Sequence, residues 1–180
     1  TKYLAEQEVW RASAEGMEVV IINPSVILGP GDWQKGSSQI FEKIYGGLKF
    51  YTTGSTGYVD VIDVAEILVQ LLFSSVKNEK YIVNGINLNY QDCFAKIAEV
   101  MRKPKATIKV TPLLKEFAWR IESVKSFFTG KKPLITRETA NSAMSNKKYD
   151  SSKIKSFLSY NFIDFDDTIN KYVNWFLADQ

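Results

Sequence analysis

The chain opens on apolar positions spaced as one face of a helix. Leu4, Ala5, Val9, Trp10 and Ala12 recur in this way between Tyr3 and Ala14, and Gly16 supplies the left-handed residue at which such a helix ends. Val19, Val20, Ile21 and Ile22 then run without a polar break to Asn23-Pro24, the pattern of a strand buried on both faces of a parallel sheet. From Pro24 to Asp32 the recurring glycine and proline predict a turn or irregular loop. Ser37 to Tyr45 places Ile40, Phe41, Ile44 and Tyr45 on one face of a short helix closed by Gly46-Gly47. Lys49 to Thr52 and Tyr58 to Val61 read as short strands around a turn at Gly54-Ser55-Thr56-Gly57. Asp63 is then placed to cap an apolar helix from Val64 to Ser74.

The alternation continues and then turns helical. Lys80 to Asn84 and Thr107 to Val110 read as strands, and between them Asn89 with Asp92 resembles a capping box for a helix from Tyr90 to Arg102. Leu114, Phe117, Ala118, Ile121, Val124 and Phe128 predict a helix from Leu113 to Phe128 that stops at Gly130. Thr136 to Ser145 and Ser152 to Leu158 read as shorter helices. Asp164 with Asp167 reads as the cap of a final one carrying Ile169, Tyr172, Val173 and Phe176. The fold class is α/β, with no internal repeat.

Composition narrows the chemistry. With 180 residues, 45% of them hydrophobic, the chain can bury one core. Histidine is absent, which removes Ser-His-Asp and Cys-His catalysis and every histidine-ligated zinc site, and no metal site is expected. The single cysteine, Cys93, falls in a predicted helix and reads as a small buried hydrophobe, in keeping with a reducing cytoplasm. A net charge of +3 is too weak to argue for a nucleic acid or membrane partner. Between Lys125 and Lys155 eight Lys or Arg face only Glu138 and Asp150, but no aromatic residues interleave them as a stacking surface would need, so this reads as a solvated face. Val64 to Phe73, interrupted by Glu66 and Gln70, is too short to span a bilayer. Thr1 followed at once by Lys2, with no signal core, reads as the middle of a longer protein.

Four segments in register resemble one family, the extended short-chain dehydrogenase/reductases, and within it the dihydroflavonol-reductase-like members. Thr1-Lys2-Tyr3-Leu4-Ala5-Glu6 is similar to the second half of the family's Y-x-x-[ST]-K-x-x-x-E helix. Val20 to Asp32 resembles its strand and Gly-Pro-Gly loop. Gly57-Tyr58-Val59-Asp60-Val61-Ile62-Asp63-Val64-Ala65-Glu66 resembles its V-x-V-x-D-V-A element, and Tyr149 to Lys153 the segment before its last helices. The fold so implied is the C-terminal part of a Rossmann-like doubly wound parallel sheet plus a small, mostly helical substrate-binding region. Residues 1–85 would belong to the first and residues 86–180 to the second.

The resemblance implies an oxidoreductase using NAD or NADP on a small alcohol or carbonyl compound. A tyrosine four residues before Lys2, outside this chain, would be the acid/base, and Lys2 would lower its pKa and bond the nicotinamide ribose. Pro24, Ser25 and Val26, beyond the carboxyl end of a parallel strand, would face the nicotinamide, the alternative being a plain strand exit. Trp33, Gln34, Ser37, Ser38 and Phe41 fall where relatives begin their substrate region, and Phe41 reads equally as core beside Ile44. Asp60 on a strand and Asp63 at a helix start read as capping rather than paired catalytic carboxylates. The glycine-rich loop would also lie outside, so the chain alone is expected to be inactive. Relatives imply a homodimer. Two alternatives remain: a nucleotide-sugar epimerase or dehydratase, disfavoured by the lack of arginine in Gly54 to Gly57, and a non-catalytic binding module on the same scaffold.

Overall fold

The computed structural model describes residues 2–111, 116 and 141–180. Helix α1 (Lys2–Ala14) ends as its glycine predicts: Gly16 takes a φ of 103°, and the Gly16 and Met17 amides donate to the Ser13 and Ala12 carbonyls. None of its side chains is fully buried. It is held instead by polar ties at its two ends. Glu6 accepts from Asn23 Nδ2 at 3.2 Å and Lys80 Nζ at 2.7 Å, while Ser13 Oγ donates to Asn78 Oδ1 at 2.8 Å.

Strand β1 (Val20–Pro24) is followed by β2 (Val26–Leu28), a 3-10 turn at Gly36–Ser38, α2 (Gln39–Tyr45), β3 (Phe50–Tyr51), β4 (Ser55–Asp60) and α3 (Val61–Leu72). Then come β5 (Glu79–Val83), β6 (Ile86–Asn89), α4 (Tyr90–Val100), β7 (Ile108–Lys109), α5 (Ser152–Leu158) and α6 (Phe165–Ala178). The chain thus forms an α/β fold with parallel pairing in each of its sheets: β1 with β5, β2 with β4, and β3 with β7; β6 adds to β4 antiparallel. Asn23 of α1's tie lies near the end of β1, and Asn78 just before β5. Helix α1 therefore runs antiparallel to both strands, and its first turn stands at their carboxyl ends.

Four expectations are corrected. Strand β1 is half-buried rather than buried on both faces, and it continues through Pro24, which pairs with Val83 as the last residue of the ladder. The expected loop from Pro24 to Asp32 contains β2, because Val26 to Leu28 find partners in Tyr58 to Asp60. Gly54 to Gly57 makes no turn: Ser55, Thr56 and Gly57 lie in β4, paired to Asn89, Leu88 and Asn87. These glycines admit neighbours, since a Cβ at Gly54 would lie 2.4 Å from the Ala143 carbonyl oxygen. Finally, the cap of α3 is Asp60, one turn earlier than Asp63. The Asn89 cap of α4 and the Asp164 cap of α6 stand where the sequence puts them. The helix expected over Leu113 to Phe128 lies outside the described residues except for Glu116, as does most of the one over Thr136 to Ser145.

Two apolar clusters flank β4. One gathers Leu28, Phe41, Tyr58, Ile97, Tyr172 and Phe176 from the β2–β4 pair and helices α2, α4 and α6; the other gathers Val59, Ile67, Leu71, Val83 and Ile154 from β4, α3, β5 and α5. Alternation along β4 assigns Tyr58 to the first and Val59 to the second. Helix α6 buries Ile169, Tyr172, Val173 and Phe176, the spacing of one helix face.

Asp60 joins the parts. It is 3% exposed and accepts from the Ile62 amide at 2.8 Å, Thr168 Oγ1 at 2.8 Å and Tyr172 Oη at 2.6 Å. Removing the carboxylate would strand two buried hydroxyls and uncap the Ile62 amide, so Asp60→Ala is expected to destabilise the chain by about 3–5 kcal/mol, read as a lowered urea midpoint.

Asp63 performs a different task one turn on. Fully buried, it takes the Tyr160 hydroxyl at 2.9 Å and the Ile163 amide at 3.2 Å, and the same hydroxyl lies 2.9 Å from Glu66 Oε2. A phenol has one proton, so both oxygen contacts are hydrogen bonds only when a carboxyl proton is present as well. Burial pushes the Asp63 carboxyl above its ordinary 3.8, against the opposing pull of Tyr160 and the Ile163 amide. A raised folded-state pKa stabilises fully below the ordinary value and is lost as pH rises through the folded value. Thermal unfolding should therefore show wild type losing ground to Asp63→Asn as pH climbs from the acid side of 3.8 towards neutrality.

Candidate functional site

Pro24, Ser25 and Asn84 lie at the carboxyl ends of β1 and β5, and Glu6, one turn after Lys2 in α1, reaches Asn23 beside them. Lys2 is exposed in the first turn of α1 and has no carboxylate partner among the described residues. Pro24 is exposed and has no N–H to donate. The Ser25 amide donates to the Val83 carbonyl at 2.9 Å, which closes the β1–β5 ladder, and Val26 begins β2 opposite Tyr58. Ser25 Oγ is buried and has no hydrogen-bond partner among the described residues. A hydroxyl with free donor and acceptor capacity thus sits where ligands bind in open parallel sheets.

Gly57 and Asn84 shape this edge, and sequence reasoning missed both. A Cβ at Gly57 would lie 2.1 Å from Asn84 Oδ1 and 2.8 Å from Ser25 Cβ, so only glycine lets the three meet. Asn84 Oδ1, with no conventional donor, packs on the Gly57 Cα, the approach of a weak Cα–H···O contact. The rest of Asn84 is committed: Nδ2 donates to the Tyr149 carbonyl at 3.3 Å, and its own carbonyl accepts from Ser151 Oγ at 2.7 Å. Asn87 grips the Tyr149 peptide from both sides, at 2.9 Å each. The signal available in the sequence was a glycine inside a strand pattern, which marks close approach as readily as a turn.

The residues after the Gly-Pro-Gly loop do structural work. Ser37 Oγ donates to the Ile27 carbonyl at 2.6 Å and Ser38 Oγ to the Gly29 carbonyl at 3.3 Å, while the Gln34 amide donates to Asp32 Oδ1 at 3.0 Å. Trp33 meets Phe41 and Phe176 edge-on, with ring centroids 5.6 and 5.2 Å away, and its Nε1 donates to Asp179 Oδ2 at 2.9 Å. Phe41 has no exposed surface, and of its two readings the core is the one observed. Cys93 is buried in α4 and burial pushes its thiol up to about 12, far from a reactive thiolate. Beyond Gly85 opens a cleft of about 240 Å³ lined by Tyr58, Lys155, Phe162, Asp164 and Thr168, which mixes aromatic faces with both signs of charge. Among the described residues no group of side chains could hold a metal ion, and no helix is long and apolar enough to cross a membrane.

The free Ser25 hydroxyl suits a polar ligand such as a nicotinamide carboxamide. The usual cradle for the rest of a dinucleotide is not found among the described residues, where the direct strand-to-helix junctions at Asp60–Val61 and Asn89–Tyr90 contain no glycine.

No family model matches the sequence. The chain is 22% identical to sterol demethylase protein B of Methylococcus capsulatus, over 85% of this chain and 48% of that protein. It is 27% identical to a putative dihydroflavonol 4-reductase of Synechocystis, over 98% of this chain and 53% of that protein. Among solved structures, gox2253 superposes with a TM-score of 0.76 at 27% identity, covering 99% of this chain and 55% of that one. UDP-glucose 4-epimerase of Thermus thermophilus, solved as a complex with NAD, superposes with a TM-score of 0.64 at 16% identity, covering 94% of this chain and 50% of that one. The chain spans about half the length of the relatives it matches. The fold is that of the Rossmann-like epimerases and dehydratases. In sequence and fold the chain resembles the extended short-chain dehydrogenase/reductases.

The close approach at Gly57 has a direct test. Gly57→Ala is expected to destabilise the chain by about 1–3 kcal/mol through overpacking against Asn84 and Ser25, measured as a shift in the denaturation midpoint.

Proposed function

We propose that this chain is part of an NAD(P)-dependent oxidoreductase that interconverts a small alcohol and its carbonyl compound in the cytoplasm. The observation that carries the reading is the unpartnered Ser25 hydroxyl just beyond a parallel strand pair whose Asn23 is tied, through Glu6, to the helix that carries Lys2. The sequence relative that nearly the whole chain matches, named as a dihydroflavonol 4-reductase, supports a reductase over an epimerase. The epimerase neighbour is 16% identical and speaks for the fold alone.

In this reading a nicotinamide, when bound, exchanges hydride with the substrate carbon. Lys2 presents its ammonium to a tyrosine four residues upstream, favours the phenolate and so readies that group to hold or give the substrate proton. Pro24, Ser25 and Val26 form the wall against which the nicotinamide lies, with Ser25 Oγ the polar anchor. Trp33, Ser37 and Ser38 brace the loop at the start of the substrate region, and the cleft beyond Gly85 has room for a small molecule. Residues 1–85 would serve the cofactor side and residues 86–180 the substrate side.

Lys2→Ala in the longer protein should lower kcat by roughly 10²-fold or more and move the pH optimum upward, because an unassisted phenol ionises at higher pH. Unchanged turnover would remove Lys2 from the mechanism. The 180 residues alone should bind neither NADH nor NADPH, since no glycine-rich turn among the described residues leads from strand to helix; calorimetric titration showing micromolar binding would overturn that placement.

A further inference from the structure

We propose that Glu6 is a positioning residue that holds Lys2 and the Pro24–Val26 segment in one frame. The proposal rests on the cofactor reading above. Glu6 lies four residues after Lys2, on the same face of α1 and one turn deeper. Its carboxylate is shared among three donors on three elements. Oε1 takes Lys80 Nζ of β5 at 2.7 Å and Trp10 Nε1 of α1 at 3.4 Å, and Oε2 takes Asn23 Nδ2 of β1 at 3.2 Å. Asn23 immediately precedes Pro24, so one carboxylate links the helix that carries Lys2 to the strand end that carries the candidate nicotinamide wall.

The surroundings distinguish this contact from an ordinary surface ion pair. The Glu6 side chain is 20% exposed, against 66% and 70% for Glu8 and Glu15, which pair with Arg11 on the same helix. Lys80, and after it Asn23, hold the Glu6 carboxyl below the ordinary carboxylate range, so the clasp stays charged at neutral pH. Because α1 buries no side chain fully, packing does not index it against the sheet. Its position is set at one end by Ser13 on Asn78 and at the other by Glu6. Releasing Glu6 leaves Ser13 as a pivot and lets the Lys2 end swing.

A partly exposed ion pair contributes modestly to stability, whereas a displacement of about 1 Å at a reacting group can lower activity about 10²-fold. Loss of Glu6 should therefore act on the site more than on the fold. The test compares wild type, Glu6→Ala and Glu6→Gln in the longer protein, by NADH fluorescence titration, by hydrogen exchange of the cofactor-free protein and by the pH profile of kcat. Glu6→Ala should weaken NADH binding about tenfold or more, raise exchange in residues 2–8 above that in residues 11–14, and move the pH optimum upward as Lys2→Ala does, with little change in the unfolding midpoint. Glu6→Gln, which keeps an acceptor for Asn23, should recover most of the affinity. Unaltered affinity and exchange in Glu6→Ala would overturn the proposal and leave the cofactor reading standing. A wild type that binds neither NADH nor NADPH would overturn both. If Glu6→Ala does not fold, Asn23→Ala removes the strand tie alone, and unchanged affinity and exchange there would equally overturn it.

Discussion

A single buried carboxylate joins one strand and two helices of the fold. Asp60 ends β4, caps α3 and receives two hydroxyls from α6, which lies more than a hundred residues later. A buried charge is tolerated only where donors surround it, and here the donors come from the pieces that must be assembled. The helix cap brings the Ile62 amide, and α6 brings Thr168 and Tyr172 only if it docks in the right register. The apolar clusters on either side of β4 supply most of the burial, but they are non-directional. Asp60 selects the arrangement in which α6 presents Thr168 and Tyr172 inward, and Ile169, Val173 and Phe176 follow from helical spacing.

The site edge inherits its form from that arrangement. Because β4 is fixed between the clusters, Gly57 lies where Asn84 and Ser25 converge, and the absent Cβ is what allows the ends of β1 and β5 to close on it. Asn84 then ties this edge to the Tyr149–Ser151 strap through Nδ2 and its carbonyl. The Ser25 hydroxyl is left without a partner among the described residues, as is Asn84 Oδ1, which packs on Gly57 instead. At the carboxyl end of a parallel strand pair an uncommitted hydroxyl is a feature with functional content.

Much of this was legible from residue pattern alone, and the failures have physical causes. The capping residues Asn89 and Asp164 were read correctly because the cap depends on local spacing. Asp60 and Asp63 were exchanged because both satisfy the same local rule. Only the arrival of Thr168 and Tyr172 at Asp60, and of Tyr160 at Asp63, separates their tasks, and those partners lie about a hundred positions away. Gly54 and Gly57 were read as a turn because glycine permits turns and close approach alike. Strands β2 and β6 were missed because three or four residues carry too little alternation to be seen without their partners. Among the candidate site residues, Lys2 and Pro24–Val26 came from family register, which no local pattern of residues could supply. Phe41 had a core reading beside Ile44 from its spacing, whereas the packing of Trp33 depends on Phe176, which α6 brings against both rings.

The helices on either side of the register between these strands are held in opposite ways, and the difference bears on function. Helix α3 buries Val64, Ile67 and Leu71 in addition to its Asp60 cap and the bonds of Asp63. Helix α1 has no such face. Its positions are set by hydrogen bonds at Glu6 and Ser13, whose strength falls steeply when geometry departs from the optimum. The element that carries Lys2 is thus placed by directional bonds without a fully buried face, and in the proposed reading proton transfer is the chemistry that needs placement of that kind.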